Sequence, residues 1–240
     1  MDNTNYYGAT GMRISPQAAV EEQKRFILRV YNWMGSGLAL TGLIAWAVSR
    51  TPSLVMAITG NPIIFFGLII AELGAVFYLA SRAMSMSAQR AMAVFLGYAA
   101  LNGLTFSVIF LAYTASTITT AFVVTAGMFG AMSLYGATTK KDLTSWGSFL
   151  FMGLIGIIIA SVVNMFMQSS AMYWITTYAG VLIFTGLTAY DTQSILRMNI
   201  LGNEGTEQDT KEAISGALRL YLDFINLFLM MLRILGGNRN

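Results

Sequence analysis

Seven apolar stretches, each roughly twenty residues long, alternate with short polar or charged breaks along most of the chain. Because a helix rises about 1.5 Å per residue, roughly 20 mainly apolar residues cross the ~30 Å hydrocarbon core of a bilayer. The pattern therefore predicts an all-α membrane protein with seven transmembrane helices, at residues 30–48, 62–80, 92–113, 117–136, 147–166, 172–195 and 213–234. Two of the connections, 114–116 and 167–171, are so short that each joins an antiparallel hairpin.

The segments outside the spans leave no room for a second folded domain. Residues 1–25 are predicted to be a polar, partly disordered tail, residues 26–236 a single seven-helix transmembrane domain, and residues 237–240 a C-terminal tail. Within the first tail, Ser15 followed by Pro16 is typical of a helix N-cap and first helical position. The longest connection, Arg197 to Glu212, is rich in carboxylates and is predicted to be a solvated loop with a short helical lead into the last span.

Composition agrees with a chain that lies in lipid and limits the chemistry it can perform. Hydrophobic residues make up 56% of the chain and charged residues 10%, whereas about a quarter of a soluble domain is charged. The chain has no cysteine and no histidine, which excludes disulfides, thiolate metal sites and imidazole proton shuttles. Ion binding or pH sensing must therefore use carboxylates, carbonyls and hydroxyls, and no covalently bound cofactor is expected.

The distribution of positive charge predicts the orientation in the membrane. Of the fourteen lysines and arginines, eleven lie on the side of the N-terminus, and the other three are Arg50, Arg233 and Arg239. Since cytoplasmic segments carry an excess of Lys and Arg, the N-terminus is predicted to be cytoplasmic and the C-terminus outside. The net charge of +3 is explained by this topology, so nucleic-acid binding is not expected.

Small residues in two spans predict close contacts between helix backbones. Lipid-embedded helices pack most closely where glycine and alanine form a face. The candidates are Gly127, Gly130 and Ala131 in the fourth span and Gly153 and Gly156 in the fifth.

Three carboxylates stand inside apolar spans: Glu72 in the second, Asp191 in the sixth and Asp223 in the seventh. An acid at the centre of a membrane helix costs roughly 2.5 to 3.5 kcal/mol, so each needs a partner or a water-filled cavity. If the last two helices are neighbours, Asp191 and Asp223 can meet, share a proton and titrate as a coupled pair. Glu72 is either a third member of that cluster or a protonated acid bonded across helices.

Two arginines are placed to neutralise the aspartates. Arg82 ends the second span at about the depth of Asp191, and Arg219 stands one helical turn before Asp223. One interpretation is that these charges form buried ion pairs that fix helix register. The other is that the aspartates form an ion or proton site that an arginine latches.

Three motifs carry a family resemblance, and they contain or adjoin these residues. The runs Thr185–Gln193, Ala217–Phe228 and Thr138–Leu143 resemble the Bax inhibitor-like family of membrane proteins, also called the transmembrane Bax inhibitor motif family. The resemblance extends from about residue 26 to the C-terminus and is strongest to bacterial members, which implies an inner membrane.

The resemblance implies a fold and an activity. The implied fold has a central last helix surrounded by the other six, and the implied activity is a pH-sensitive calcium leak controlled by an aspartate pair. Asp191 and Asp223 match that pair and are the tentative Ca²⁺ ligands, with Ca²⁺ and protons as the ions that pass. Arg82 matches the latch arginine of the second span.

Two other classes of function remain open. Some members of the family are described as modulators of a membrane protease or of cell death, so a non-conducting regulator with a membrane-protein partner is an alternative. An intramembrane aspartyl protease would also use two transmembrane aspartates to activate a water. Such proteases have a Gly-x-Gly-Asp motif, whereas Asp223 follows Leu220, Tyr221 and Leu222, so this class is disfavoured.

Overall fold

A computed structural model describes residues 6–7 and 13–237, and it is helical throughout the predicted membrane region. The helices are α1 (Pro16–Ser49), α2 (Pro52–Gly60), α3 (Pro62–Arg82), α4 (Ala88–Phe106), α5 (Ile109–Ala112), α6 (Ala115–Thr138), α7 (Thr144–Met167), α8 (Ser170–Met198) and α9 (Glu207–Gly236). Six of the seven predicted spans each lie within one helix, and the third extends over α4 and α5. The expected helix start is confirmed, since the Ser15 side chain accepts a hydrogen bond from the amide of Ala18.

Before α1, two short strands pair where the sequence predicts a partly disordered tail. β1 (Tyr6–Tyr7) and β2 (Arg13–Ile14) are antiparallel, with Tyr6 opposite Ile14. The rest of that tail, residues 1–5 and 8–12, lies outside the described residues, as do residues 238–240 of the predicted C-terminal tail.

Several helices are long and apolar enough to cross a membrane. Among the described residues these are α3, α4 with α5, α6, α7 and α8, and α1 with α2 forms a sixth candidate that bends by 98°. The bend follows from Pro52 at the start of α2, because proline has no amide to continue the hydrogen bonding of α1. The protein is thus an integral, multi-pass helical membrane protein. Length and composition support five to six spans, so a total of seven, with α9 as the last, stays a prediction.

The chain divides into two compact units, and each draws on the last two helices. Unit 1 contains the described residues up to Ala112 together with Ile195–Tyr221, and unit 2 contains Tyr113–Ser194 together with the described residues from Leu222 onwards. In unit 1, α1 and α3 pack against α4. The Thr41 hydroxyl of α1 donates to the carbonyl of Ala99 at 2.8 Å and accepts from the Tyr221 hydroxyl at 2.7 Å.

Helix α9 is buried over most of its circumference. Leu220, Tyr221, Asp223, Phe224 and Ile225 are all buried although they point in different directions around the helix, since successive residues are about 100° apart. One stripe, which includes the exposed Arg219, is less buried. This extensive burial agrees with the expectation that the last helix is central.

The connection before α9 differs from the prediction of a solvated loop. Asn203, Asp209 and Glu212 are 6%, 1% and 1% exposed. Burial is tolerated because these groups have hydrogen-bond partners: Arg29 of α1 donates to Asp209 at 2.8 Å, and the Asn203 side chain donates to Glu212 at 3.2 Å. The predicted helical lead is confirmed, since α9 begins at Glu207.

The predicted orientation can be tested with cysteine labelling, since the chain has no cysteine of its own. Ser85 lies between α3 and α4, Ser170 is the first residue of α8, and both are exposed. With a membrane-impermeant maleimide on intact cells, we expect Ser170→Cys to be labelled and Ser85→Cys to be labelled only after the membrane is permeabilised. The reverse result would show that the orientation is wrong.

Candidate functional site

The residues on either side of Asp191 hold α8 against α6. Gly136 of α6 meets the backbone of α8 so closely that a Cβ atom at this position would overlap Ala189. One turn earlier, the buried hydroxyl of Ser133 lies 2.9 Å from that of Thr192. The Thr192 hydroxyl itself donates to the carbonyl of Thr188 at 2.7 Å, so Ser133 is the donor to Thr192. Asp191 thus lies between two residues that are in contact with α6.

A second set of contacts fixes the same segment of α8 to α7 and to the loop before it. A side chain at Gly147 of α7 would overlap the ring of Tyr190. The Gln193 side chain accepts from the amide of Leu143 at 2.9 Å and donates to the carbonyl of Lys141 at 2.8 Å. Both immediate neighbours of Asp191, and Gln193 beyond them, therefore have defined positions.

Asp223 of α9 is held in a comparable way by the residue that follows it. Phe224 packs edge-on against Phe122 and Phe129 of α6, with ring centroids 5.5 Å apart in both cases. Such edge-to-face pairs contribute about 0.5 to 1.5 kcal/mol each beyond the burial of area. Asp223 is 4% exposed, whereas Asp191 is half-buried.

These contacts relate the levels of the two aspartates along α6. Thr192, which follows Asp191, contacts Ser133, and Phe224, which follows Asp223, contacts both Phe122 and Phe129. The midpoint between Phe122 and Phe129 is about seven to eight residues from Ser133, which is about two helical turns or roughly 11 Å. The two aspartates therefore lie within about two turns of each other's level.

Direct packing between α8 and α9 leads to the same conclusion. Leu187 of α8 and Leu227 of α9 belong to one buried apolar cluster, completed by Leu150, Phe184 and Met230. Leu187 is one turn from Asp191, and Leu227 is one turn from Asp223. Since the last two spans are predicted to run in opposite directions, the cluster lies on the same side of both aspartates. We call Asp191, Asp223 and the contacts that hold them the aspartate layer.

Paired carboxylates are a common chemistry for proton and cation sites. As a general rule, two carboxylates that approach each other in a low dielectric do not both ionise freely, and such a pair shares a proton. Ionised, they provide hard oxygen ligands of the kind Ca²⁺ prefers, although Ca²⁺ takes 6 to 8 oxygens and the rest must come from carbonyls, hydroxyls or water. In the described part of the chain, no three carboxylates cluster as a metal site would require.

The two candidate arginines occupy exposed positions in unit 1. Arg82 is the last residue of α3, and its carbonyl accepts hydrogen bonds from the amides of Ser85 and Met86. Arg219 is exposed although its neighbours Leu218 and Leu220 are buried. The latch or counter-ion role of each arginine therefore stays a prediction.

Glu72 has a partner of its own on a neighbouring helix. It is half-buried on α3 and accepts a hydrogen bond of 2.5 Å from the hydroxyl of Thr105 on α4, both within unit 1. Of the two interpretations left open by the sequence, this contact favours a glutamic acid bonded across helices.

Sequence reasoning missed the residues of α6 that hold the aspartate layer. Of the glycines expected to allow close packing, only Gly153 does so, against Ile183; a Cβ at Gly127, Gly130 or Gly156 would meet nothing within 4 Å. The sequence signal that could have indicated this contact is Gly136. It lies about three turns from the middle of the fourth span, next to the run Thr138–Leu143 that carries the family resemblance. The pattern of small residues does not reveal which of them faces another helix.

Two alanine substitutions on α6 test this packing. Gly136→Ala is expected to destabilise the protein by about 1 to 3 kcal/mol, because the group it meets is backbone and moves only with the helix. Gly130→Ala on the same helix is the control, since its Cβ enters open space. Thermal unfolding in detergent should show a lower melting temperature for Gly136→Ala alone, and equal melting temperatures would contradict the close crossing.

Comparison with known proteins identifies the family of this chain. The family model described as "Inhibitor of apoptosis-promoting Bax1" matches residues 23–240. The chain is 48% identical over 230 residues to the inner membrane protein YbhL of Escherichia coli strain K12, covering 94% of this chain and 96% of that protein. It is 44% identical to an uncharacterized protein of Borreliella burgdorferi, covering 91% and 94%, and 42% identical to one of Deinococcus radiodurans, covering 95% and 96%. The chain therefore belongs to the Bax inhibitor-like family of membrane proteins.

Proposed function

We propose that the protein is a pH-sensitive cation leak pathway, with Ca²⁺ as the transported ion, gated by Asp191 and Asp223. The observation that carries the proposal is the aspartate layer, in which two carboxylates on α8 and α9 lie within about two helical turns of each other's level. Carboxylates at such positions in membrane helices most often serve an ion or proton pathway. Membership of the family supports the same activity.

In this proposal, the number of protons bound by the two aspartates sets how often the ion path is open. When the aspartates share a proton or are both protonated, the site has little affinity for Ca²⁺. When both are ionised, their oxygens attract a cation, which is either the passing Ca²⁺ or an arginine that closes the path. Arg82 and Arg219 are the candidates for that arginine.

The relatives support a membrane location for this activity. YbhL is an inner membrane protein, and we propose that this chain lies in the bacterial inner membrane, in contact with lipid. The proposed activity is transport rather than catalysis, and it uses protons and Ca²⁺ without a bound cofactor. A membrane protease or another membrane protein is the candidate partner for a regulatory role.

Ca²⁺ flux into liposomes that contain the purified protein tests the proposal. We expect the wild-type flux to change between about pH 5 and 8, and Asp191→Asn and Asp223→Asn each to remove that change, since an amide cannot exchange a proton. Asp142→Asn is the matched control, because Asp142 is exposed in the loop before α7 and its substitution should leave the pH profile unchanged.

The outcomes separate the functions under consideration. A wild-type pH profile that persists in both variants would show that another group gates the path. Absence of flux above that of empty liposomes at every pH would contradict the leak pathway and favour a non-conducting regulator.

A further inference from the structure

Four charged side chains join α1 to the connection between α8 and α9, and we call Arg25, Arg29, Glu204 and Asp209 the ion-pair network. Arg25 donates to both oxygens of Glu204, at 2.8 and 2.9 Å. Arg29 bridges the two acids, donating to Glu204 at 3.0 Å and to Asp209 at 2.8 Å. Bidentate pairs of arginine and carboxylate are among the strongest hydrogen-bonded contacts of a protein and fix geometry as well as distance.

Asp209 makes this network part of the start of α9. It lies in the first turn of the helix and is 1% exposed. Its second oxygen accepts from the amide of Gly205 at 3.0 Å, and its own amide donates to the hydroxyl of Thr206 at 3.2 Å, which caps the helix. A buried carboxylate is tolerated only with such partners, so Arg29 and the first turn of α9 depend on each other.

Further contacts tie the same segment to other elements of unit 1. Glu22 of α1 accepts from the amide of Gly202 at 2.7 Å. Glu207 accepts from the amide of Ala88 at the start of α4, at 2.9 Å. Lys211 donates to the carbonyl of Met84 at 3.3 Å. The beginning of α9 is thus attached to α1, to α4 and to the turn before α4.

Within the network, Glu204 stays ionised across the pH range in which flux would be measured. The hydrogen bond from Arg25, reinforced by Arg29, holds the pKa of Glu204 below its ordinary value even though burial opposes this. A carboxylate with a lowered pKa contributes stability above its unfolded pKa, about 4.3, and loses it only as the pH falls through the lower folded value. Between pH 5 and 8 that contribution is constant.

The other charges around the network fit this picture. Glu21 lies 3.6 Å from Arg25, and Glu22, Glu207, Lys211 and Glu212 bond to backbone amides, a carbonyl and neutral side chains. Arg197, in the last turn of α8, is a further charged group beside the segment. None of these contacts depends on a histidine, since the chain has none.

We propose that the ion-pair network is an anchor that holds α9 in its resting position and thereby positions Asp223. The inference rests on the proposed function. Helix α9 is continuous from Glu207 to Gly236, so Asp223 lies about 21 Å along the same rigid element from Asp209. Loosening the first turn lets the whole helix shift, which changes how often the path is open. The network positions the gate and sets the size of the flux, whereas the aspartate layer sets its pH dependence.

A double-mutant cycle on exposed members of the network tests the anchor. The side chains of Arg25 and Glu204 are 50% and 34% exposed, so Arg25→Gln and Glu204→Gln should fold. We expect each variant to raise Ca²⁺ flux, by about fivefold for Glu204→Gln, which is the low end of a coupling between two sites. The midpoint pH of the flux should not move. The double variant should carry the same flux as Glu204→Gln, because both substitutions break the contact between Arg25 and Glu204.

Two controls and an independent readout complete the design. Arg25→Lys keeps a charge toward Glu204 and should restore most of the wild-type behaviour, and Arg90→Gln removes an exposed arginine of α4 and should change nothing. Amide hydrogen exchange at Gly202 and Gly205, which donate to Glu22 and Asp209, should become faster in the two network variants.

Each outcome decides between the anchor and its alternatives. Faster exchange with unchanged flux would show a merely structural network and overturn the inference while the proposed function stands. A shifted midpoint pH would identify the network as a titrating sensor and also overturn it. If the wild type carries no flux, the proposed function fails and the anchor fails with it.

Discussion

The cost of carrying charge on a buried helix governs this structure. Helix α9 is buried over most of its circumference, yet it contains the buried acids Asp209, Glu212 and Asp223. A carboxylate removed from water must find partners or a proton. At the start of the helix the partners of Asp209 are an arginine and a backbone amide. Around Asp223, the neighbouring Phe224 and Leu227 make aromatic and aliphatic contacts with α6 and α8.

Helix α6 is the element that contacts both of the helices that carry the aspartates. It contacts α8 through Gly136 and Ser133, and it contacts α9 through Phe122 and Phe129. The first pair allows a close backbone approach with a hydrogen bond, and the second pair provides edge-to-face packing. Because rigid helices position side chains more precisely than loops do, the separation of Asp191 and Asp223 is a property of the packing rather than of the aspartates themselves.

Much of this could be predicted from the sequence, for reasons that are physical. A run of twenty apolar residues is unambiguous, so the positions of the helices follow directly, and a carboxylate in such a run is conspicuous because it is costly. Asp191, Asp223 and Glu72 were found in this way.

Contacts between distant parts of the chain could not be predicted. From the sequence, the acids of the connection before α9 are predicted to be solvated, because their partners, Arg25 and Arg29, are about 180 residues away. Gly130 and Gly136 look alike in a pattern of small residues, although only Gly136 meets another helix. Which face of a helix is in contact with a neighbour depends on the whole packing.

The central claim is that Asp191 and Asp223 act as one titrating pair, and infrared difference spectroscopy between two pH values measures this directly. The wild type should show a carbonyl band of a protonated carboxylic acid that changes with pH, and either Asp191→Asn or Asp223→Asn alone should remove or shift the whole band. If the two variants each remove a separate part of the signal, and the parts add up to the wild-type spectrum, the aspartates titrate independently and the account is wrong.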